Sequence, residues 1–222
     1  MGVKKLLPEN WKAFAWIDAD IEFDNPSWPI DTLKVLNGCR DVVQLFSHAI
    51  DMDQNKDPLN TFYSFGFQYS KNREYTPKWH PGFAWACTRK AYETMGGLYE
   101  TSILGAGDHN MALSFINKGR LSISGKATDD YKDSVQEFEN KIKNLRLGYI
   151  PVIICHHFHG SKKFRKYTER WQILINNQYS PTLHITKNSD GLLIPTDKCP
   201  KQLLKDIYTY FSERNEDEFL LI

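Results

Sequence analysis

The chain has 222 residues, 41% of them hydrophobic, with 28 Lys and Arg against 27 Asp and Glu and a formal net charge of +1. That length and apolar content suffice for a sizeable buried core, while the balanced, interspersed charge leaves no electrostatic footprint for nucleic acid or an anionic membrane. Cys39, Cys87, Cys155 and Cys199 form no C-x-x-C pair, which argues against a thiolate zinc site and against a secreted disulfide framework. No stretch has the length of a signal peptide's apolar region or approaches the roughly 20 apolar residues of a membrane span. Leu6 stands where a myristoylation signal needs Ser or Thr, so a cytoplasmic chain with reduced thiols is expected.

In chain order, AFAWI at 13–17 reads as a buried strand, PIDTLKVLNG as a helix closed by Gly38, and VVQLF at 42–46 as a second buried strand. The aromatic alternation of TFYSFGFQYS predicts a further strand, and TRKAYETMGG a short helix with Thr88 near its start and a glycine stop. DHNMALSFINKG predicts a helix capped by Asp108, with Met111, Phe115 and Ile116 along one face. A longer helix is expected over 131–147, where Val135, Phe138, Ile142 and Leu145 keep helical spacing. YIPVIICHHFHG reads as a strand running into a His-rich turn, RKYTERWQILINN as another helix, and the tail as a last amphipathic helix with a mobile end. Strands alternating with helices predict an α/β layer fold with a mainly parallel sheet.

Three constellations carry candidate chemistry. Asp18-Ala19-Asp20 follows the first strand, and residues two apart on a strand point the same way, so the pair has the spacing to share a cation; a turn is the alternative reading. CHHFHG places His156, His157 and His159 at a strand end. Imidazoles there are metal ligands or ordinary hydrogen-bonded side chains, and mixed oxygen and imidazole ligation suits Mn²⁺, with Zn²⁺ as the alternative. GGLYETSILGAGDHN leads through glycines to Asp108, which is either a plain N-cap or a general base, with Gly105 and Gly107 leaving room for a substrate hydroxyl. Nearby, Trp79, His80, Phe83 and Trp85 form a stacking wall for a sugar or part of the core. Lys162, Lys163 and Arg165 hold phosphate or lie on a solvated face.

Taken together and in this order, WIDADIEF, HPGFAWACTRKAYETMGGLYETSILGAGDHNMAL and HHFHGSKKFRKYTERWQIL resemble the GT-A type of nucleotide-sugar glycosyltransferase. More narrowly, they resemble the galactosyltransferase family and its phage, viral and bacterial relatives, from about Leu7 to about Leu192. The resemblance implies a Rossmann-like α/β GT-A domain over residues 1–195, mainly parallel with flanking helices, and a C-terminal helix and tail over 196–222. Because the Asp-x-Asp pair arrives at residue 18, the opening strand-helix-strand segment of such a domain is expected to be lacking.

Carried onto this chain, the resemblance makes Asp18 and Asp20 the pair that holds Mn²⁺ or Mg²⁺, with Asp20 the direct ligand and His156 and His159 completing the site. It makes Asp108 the base, gives the donor diphosphate to Asp18, Lys162, Lys163 and Arg165, and gives the sugar and acceptor to Trp79, His80, Gly82, Trp85, Gly107 and His109. The implied reaction moves a hexose from a UDP-sugar type of donor to an acceptor hydroxyl on a carbohydrate or glycoconjugate, with inversion if Asp108 is the base. The rival expectations are a GT-A-like glycan-binding or structural module without catalysis, and a metal phosphohydrolase; the second wants more clustered carboxylates than this sequence offers.

Overall fold

The structure, a computed structural model, describes residues 5–160 and 166–213. They divide into two units: Trp11–Leu98 with Lys141–His159, and Tyr99–Asn140 with the described residues of Met1–Asn10 and Gly160–Ile222.

The first unit holds the strands β1 (Ala13–Ile17), β2 (Ile21–Phe23), β3 (Val42–Gln44), β4 (His48–Met52), β5 (Pro58–Tyr63), β6 (Ala84–Thr88), β7 (Leu147–Tyr149) and β8 (Ile153–His156). Its helices are α1 (Trp28–Gly38), α2 (Phe65–Lys71) and α3 (Arg89–Met95). One sheet has the order β1-β6-β3-β7 and the other β2-β8-β4-β5. Only β3 with β7 and β4 with β8 run parallel; the other described pairs are antiparallel. The expected mainly parallel sheet is therefore a pair of mixed sheets, because most strands here meet partners that run back against them rather than partners reached by a helical crossover.

Three chain segments pass from one sheet into the other with no helix between: β1 into β2, β3 into β4, and β7 into β8. The last two travel together. Val42 pairs with Leu147 and Asp51 with His156, so the register stays constant through the bend between the sheets. The ribbon starts at a charged clasp, where Asp41 accepts hydrogen bonds from the Arg146 backbone N–H at 2.8 Å, from Nε at 2.9 Å and from Nη2 at 3.1 Å. At the bend, Leu45, Phe46 and Ile150 are fully buried and pack with Val43, Ala49, Ala86 and Ile154, each large apolar side chain contributing about 1.5–3 kcal/mol relative to exposure. Gly66 lies against this ribbon, where a Cβ would sit 2.4 Å from the Gly148 carbonyl oxygen.

Local chemistry explains the boundaries of two helices. Thr88 Oγ1 accepts from the Ala91 N–H and Gly96 takes a left-handed φ of 75°, so α3 starts and stops as expected. Ser64 does the same for α2, accepting from the Phe67 N–H, and this corrects the reading of TFYSFGFQYS as one strand: β5 ends at Tyr63 and a helix follows. The first strand differs too. β1 is an edge strand and half-buried, with Ile17 36% exposed, and the buried centre belongs to β3 and β6.

The second unit carries α4 (Gly107–Ser114), α5 (Asp129–Ile142), α6 (Glu169–Asn176), α7 (Pro181–His184), the hairpin of β9 (Ile185–Lys187) with β10 (Leu193–Pro195), and α8 (Lys201–Glu213). Met111, Val135, Phe138, Leu174, Tyr179 and Leu203 are buried. Asn110 is buried in a satisfied polar network, accepting from Ser102 Oγ at 2.6 Å and donating to Ser122 Oγ at 2.6 Å. The expected mobile end beyond Glu213 lies outside the described residues.

Two outcomes test the ribbon. Gly66→Ala is expected to destabilise by at least about 2 kcal/mol in denaturant unfolding, since backbone must move to admit the methyl; wild-type stability would contradict the close approach. The Arg146 guanidinium holds the Asp41 carboxyl below the ordinary carboxylate range, so the clasp stabilises at neutral pH and its contribution is lost as pH falls through that lowered pKa. The Tm gap between wild type and Asp41→Asn is expected to close in acid; a gap unchanged by acid would remove the ion pair from the account.

Candidate metal centre

Asp18, Ala19 and Asp20 form one of the direct passages between the sheets. The Asp18 N–H donates to the Phe83 carbonyl at 2.8 Å, extending the β1–β6 ladder, and the Asp20 carbonyl accepts from the His157 N–H at 2.9 Å, extending β2–β8. Strand alternation is broken where the chain changes sheet, and the group of ligand atoms around Asp20 does not include Asp18. Asp18 is exposed, while Asp20 turns to the histidines.

Among the described residues, Asp20, His156 and His159 form a group whose ligand atoms all lie within 4.8 Å of one another. Asp20 Oδ2 is 2.8 Å from His159 Nε2 and 3.3 Å from His156 Nε2. Its Oδ1 is buried and meets no hydrogen-bond partner among the described residues, a costly state for a carboxylate oxygen unless a cation or water supplies the missing partner. Burial works against ionisation of Asp20, yet the His156 hydrogen bond and the charges of His156 and His159 outweigh it and lower its pKa. Burial likewise opposes a charge on His156, and the hydrogen bonds to Asp20 and Asp51 outweigh it and raise its pKa. One carboxylate oxygen and two imidazole nitrogens fit a divalent Mn²⁺, Fe²⁺ or Zn²⁺.

The surroundings hold His156 in place. Asp51 Oδ1 lies 2.7 Å from His156 Nδ1, and both side chains are buried. On the ring face, Phe83 sits 4.7 Å from His156 between centroids, and His80 stacks on Phe83 at 4.0 Å. Phe83 has φ of 78°, a strained value for a bulky residue. Gln44, fully buried, fixes the loop before it, donating from Nε2 to the His80 and Gly82 carbonyls at 3.0 Å each and accepting at Oε1 from the Gly66 N–H. Sequence reading missed Asp51 and Gln44 as parts of the site and named Phe83 only as a sugar-stacking or core residue. The available signal was an acidic residue alternating with apolar ones in HAIDM and a glutamine inside VVQLF, both polar groups in strands otherwise built for burial.

The other expected site residues divide clearly. His157 pairs with exposed Glu22 at 2.9 Å and takes no part in the group. Trp79 and Trp85 are core: Trp79 packs on Phe65 and Tyr75, and Trp85 stacks parallel to Trp16, so neither offers a face to a sugar. His80 and Gly82 are half-buried in the loop behind Phe83. Gly107, Asp108 and His109 belong to the second unit. Ala106, with φ of 72°, precedes α4, and Asp108 is an exposed residue of the first turn instead of its cap. Burial lowers the pKa of His109 despite the Asp108 charge beside it. A Cβ on Gly105, which is exposed, would meet the end of the Arg170 side chain at 2.9 Å, and one on Gly107 the Tyr99 carbonyl at 3.0 Å. Lys162, Lys163 and Arg165 lie outside the described residues.

Neither a protein-family model, a curated protein nor a solved structure matches the chain. No described helix is long and apolar enough to cross a membrane.

Trp79→Ala is expected to cost about 3–5 kcal/mol in denaturant unfolding, as for truncation of a core aromatic. A variant of unchanged stability would return Trp79 to the surface and to sugar stacking.

Proposed function

We propose that this chain is a divalent-metal-dependent glycosyltransferase of the GT-A type, moving a hexose from a nucleoside-diphosphate sugar of the UDP class to an acceptor hydroxyl. The observation that carries the reading is the meeting of Asp20, from the Asp-x-Asp motif, with His156 and His159, the pair spaced i and i+3, in one group of three donors around an orphaned carboxylate oxygen. These are the residues that the resemblance to galactosyltransferases selects for metal ligation, and they are contributed by distant parts of the chain.

In this reading Asp20, His156 and His159 hold the ion, and the two imidazoles favour Mn²⁺ over the Mg²⁺ that the resemblance also allows. When bound, the cation neutralises charge developing on a diphosphate leaving group. Asp18, exposed one residue away from the ligand-bearing turn, adds to donor binding. Asp108, an exposed carboxylate, accepts the proton of the acceptor hydroxyl as it attacks the anomeric carbon, and the product has inverted configuration. The acceptor is a carbohydrate or glycoconjugate, and the proposed location is the cytoplasm.

The test incubates the protein with Mn²⁺ and a panel of nucleotide sugars, following nucleotide release. Asp20→Ala is expected to abolish release, and Asp108→Asn to lower it about 10²- to 10⁴-fold, the range for loss of a general base. Activity insensitive to both substitutions would overturn the assignment. Tight Mn²⁺ binding with no nucleotide release from any donor would leave the non-catalytic glycan-binding module as the better reading.

A further inference from the structure

We infer that Asp51 is the positioning residue of the metal centre, fixing the orientation and the proton-bearing nitrogen of His156 so that Nε2 presents its lone pair toward Asp20. The inference rests on the metal reading above and names the group on which the binding competence of His156 depends.

Asp51 and His156 are partners in the parallel β4–β8 register, so backbone pairing alone sets them side by side. Both occupy core-facing positions, two residues beyond Ala49 and Ile154, which are fully buried in the apolar cluster. A charged side chain in such a row is destabilising unless it is paired. Its pairing is directional: Asp51 Oδ1 reaches His156 Nδ1 at 2.7 Å, with the two side chains 7% and 6% exposed. An ionised carboxylate only accepts hydrogen bonds, so the Nδ1 facing it carries the proton. In the neutral ring Nε2 is then the lone-pair nitrogen, and it is Nε2 that lies 3.3 Å from Asp20 Oδ2. Phe83 on the ring face restricts the plane of the imidazole but cannot choose between its nitrogens. Asp51 supplies that choice, and its negative charge makes the ring a stronger donor to a cation.

A purely structural Asp51 would satisfy a buried hydrogen bond, and an asparagine oxygen would serve nearly as well. The two roles separate in metal affinity. Calorimetric titration with Mn²⁺ is expected to show Asp51→Asn binding about 10- to 100-fold more weakly than wild type, with far-UV circular dichroism unchanged. Equal affinity in the two proteins would overturn the role of Asp51 and leave the metal reading intact, whereas no Mn²⁺ binding by wild type would overturn both. If Asp51→Asn does not fold, nitrogen-15 spectra of the histidines in metal-free wild type at alkaline pH decide the matter. His156 is expected to carry its proton on Nδ1, and a proton on Nε2 would overturn the inference.

Discussion

The constraint on which the first unit depends is the constant register in which the segment from Asp41 to Asp51 runs parallel to the segment from Arg146 to His156, through both sheets. The clasp at one end and the Asp51–His156 pair at the other have the same sequence separation of 105 residues. No residue is inserted or lost on either side of the bend between the sheets. Because strand side chains alternate with a period of two, a slip of one residue would turn Ala49 and Ile154 out of the core and Asp51 away from His156 together. Core packing and site geometry are thus two consequences of one register. Gly66, Gln44 and the buried bend residues serve it from the side: the glycine admits the helix α2 against Gly148, and the glutamine ties that helix to the loop carrying His80 and Gly82.

The electrostatics of the centre follow from this placement. One imidazole, His156, lies between two carboxylates, Asp20 on its Nε2 side and Asp51 on its Nδ1 side. Such an arrangement favours positive charge between the carboxylates, which is why the His156 pKa rises and the Asp20 pKa falls although both groups are partly removed from water. A divalent ion satisfies the same demand and also the buried Asp20 Oδ1, which a proton on His156 does not reach. Strain is stored beside the site at Phe83, whose positive φ lets one residue present its ring to His156 and its carbonyl to Asp18.

Much of the local structure was legible in the sequence because it has local causes. Thr88 and Gly96 bracket α3 through cap chemistry, and the spacing of Val135 and Phe138 matches the buried face of α5. The misreadings also have causes. Aromatic alternation suggested one long strand where the Ser64 hydroxyl starts a helix, and cap chemistry prevails over propensity. Asp108 had the chemistry of an N-cap, but a left-handed Ala106 begins α4 two residues earlier. The pairing of strands, and hence their mixed direction, depends on contacts between residues far apart in the chain, on which periodicity is silent.

For the centre itself, the sequence by itself determined the donor types: an aspartate pair after an apolar run and histidines spaced i and i+3 after another, since ligand chemistry is a property of side chains and their spacing. Only the tertiary structure decided which of them meet. The change of sheet at Ala19 separates Asp18 from Asp20, the antiparallel β2–β8 pairing brings Asp20 to His156 and His159, and the parallel β4–β8 register sets Asp51 behind His156. Those pairings join residues with no local sequence relation, and their geometry exists only once the backbone hydrogen bonds between distant strands are formed.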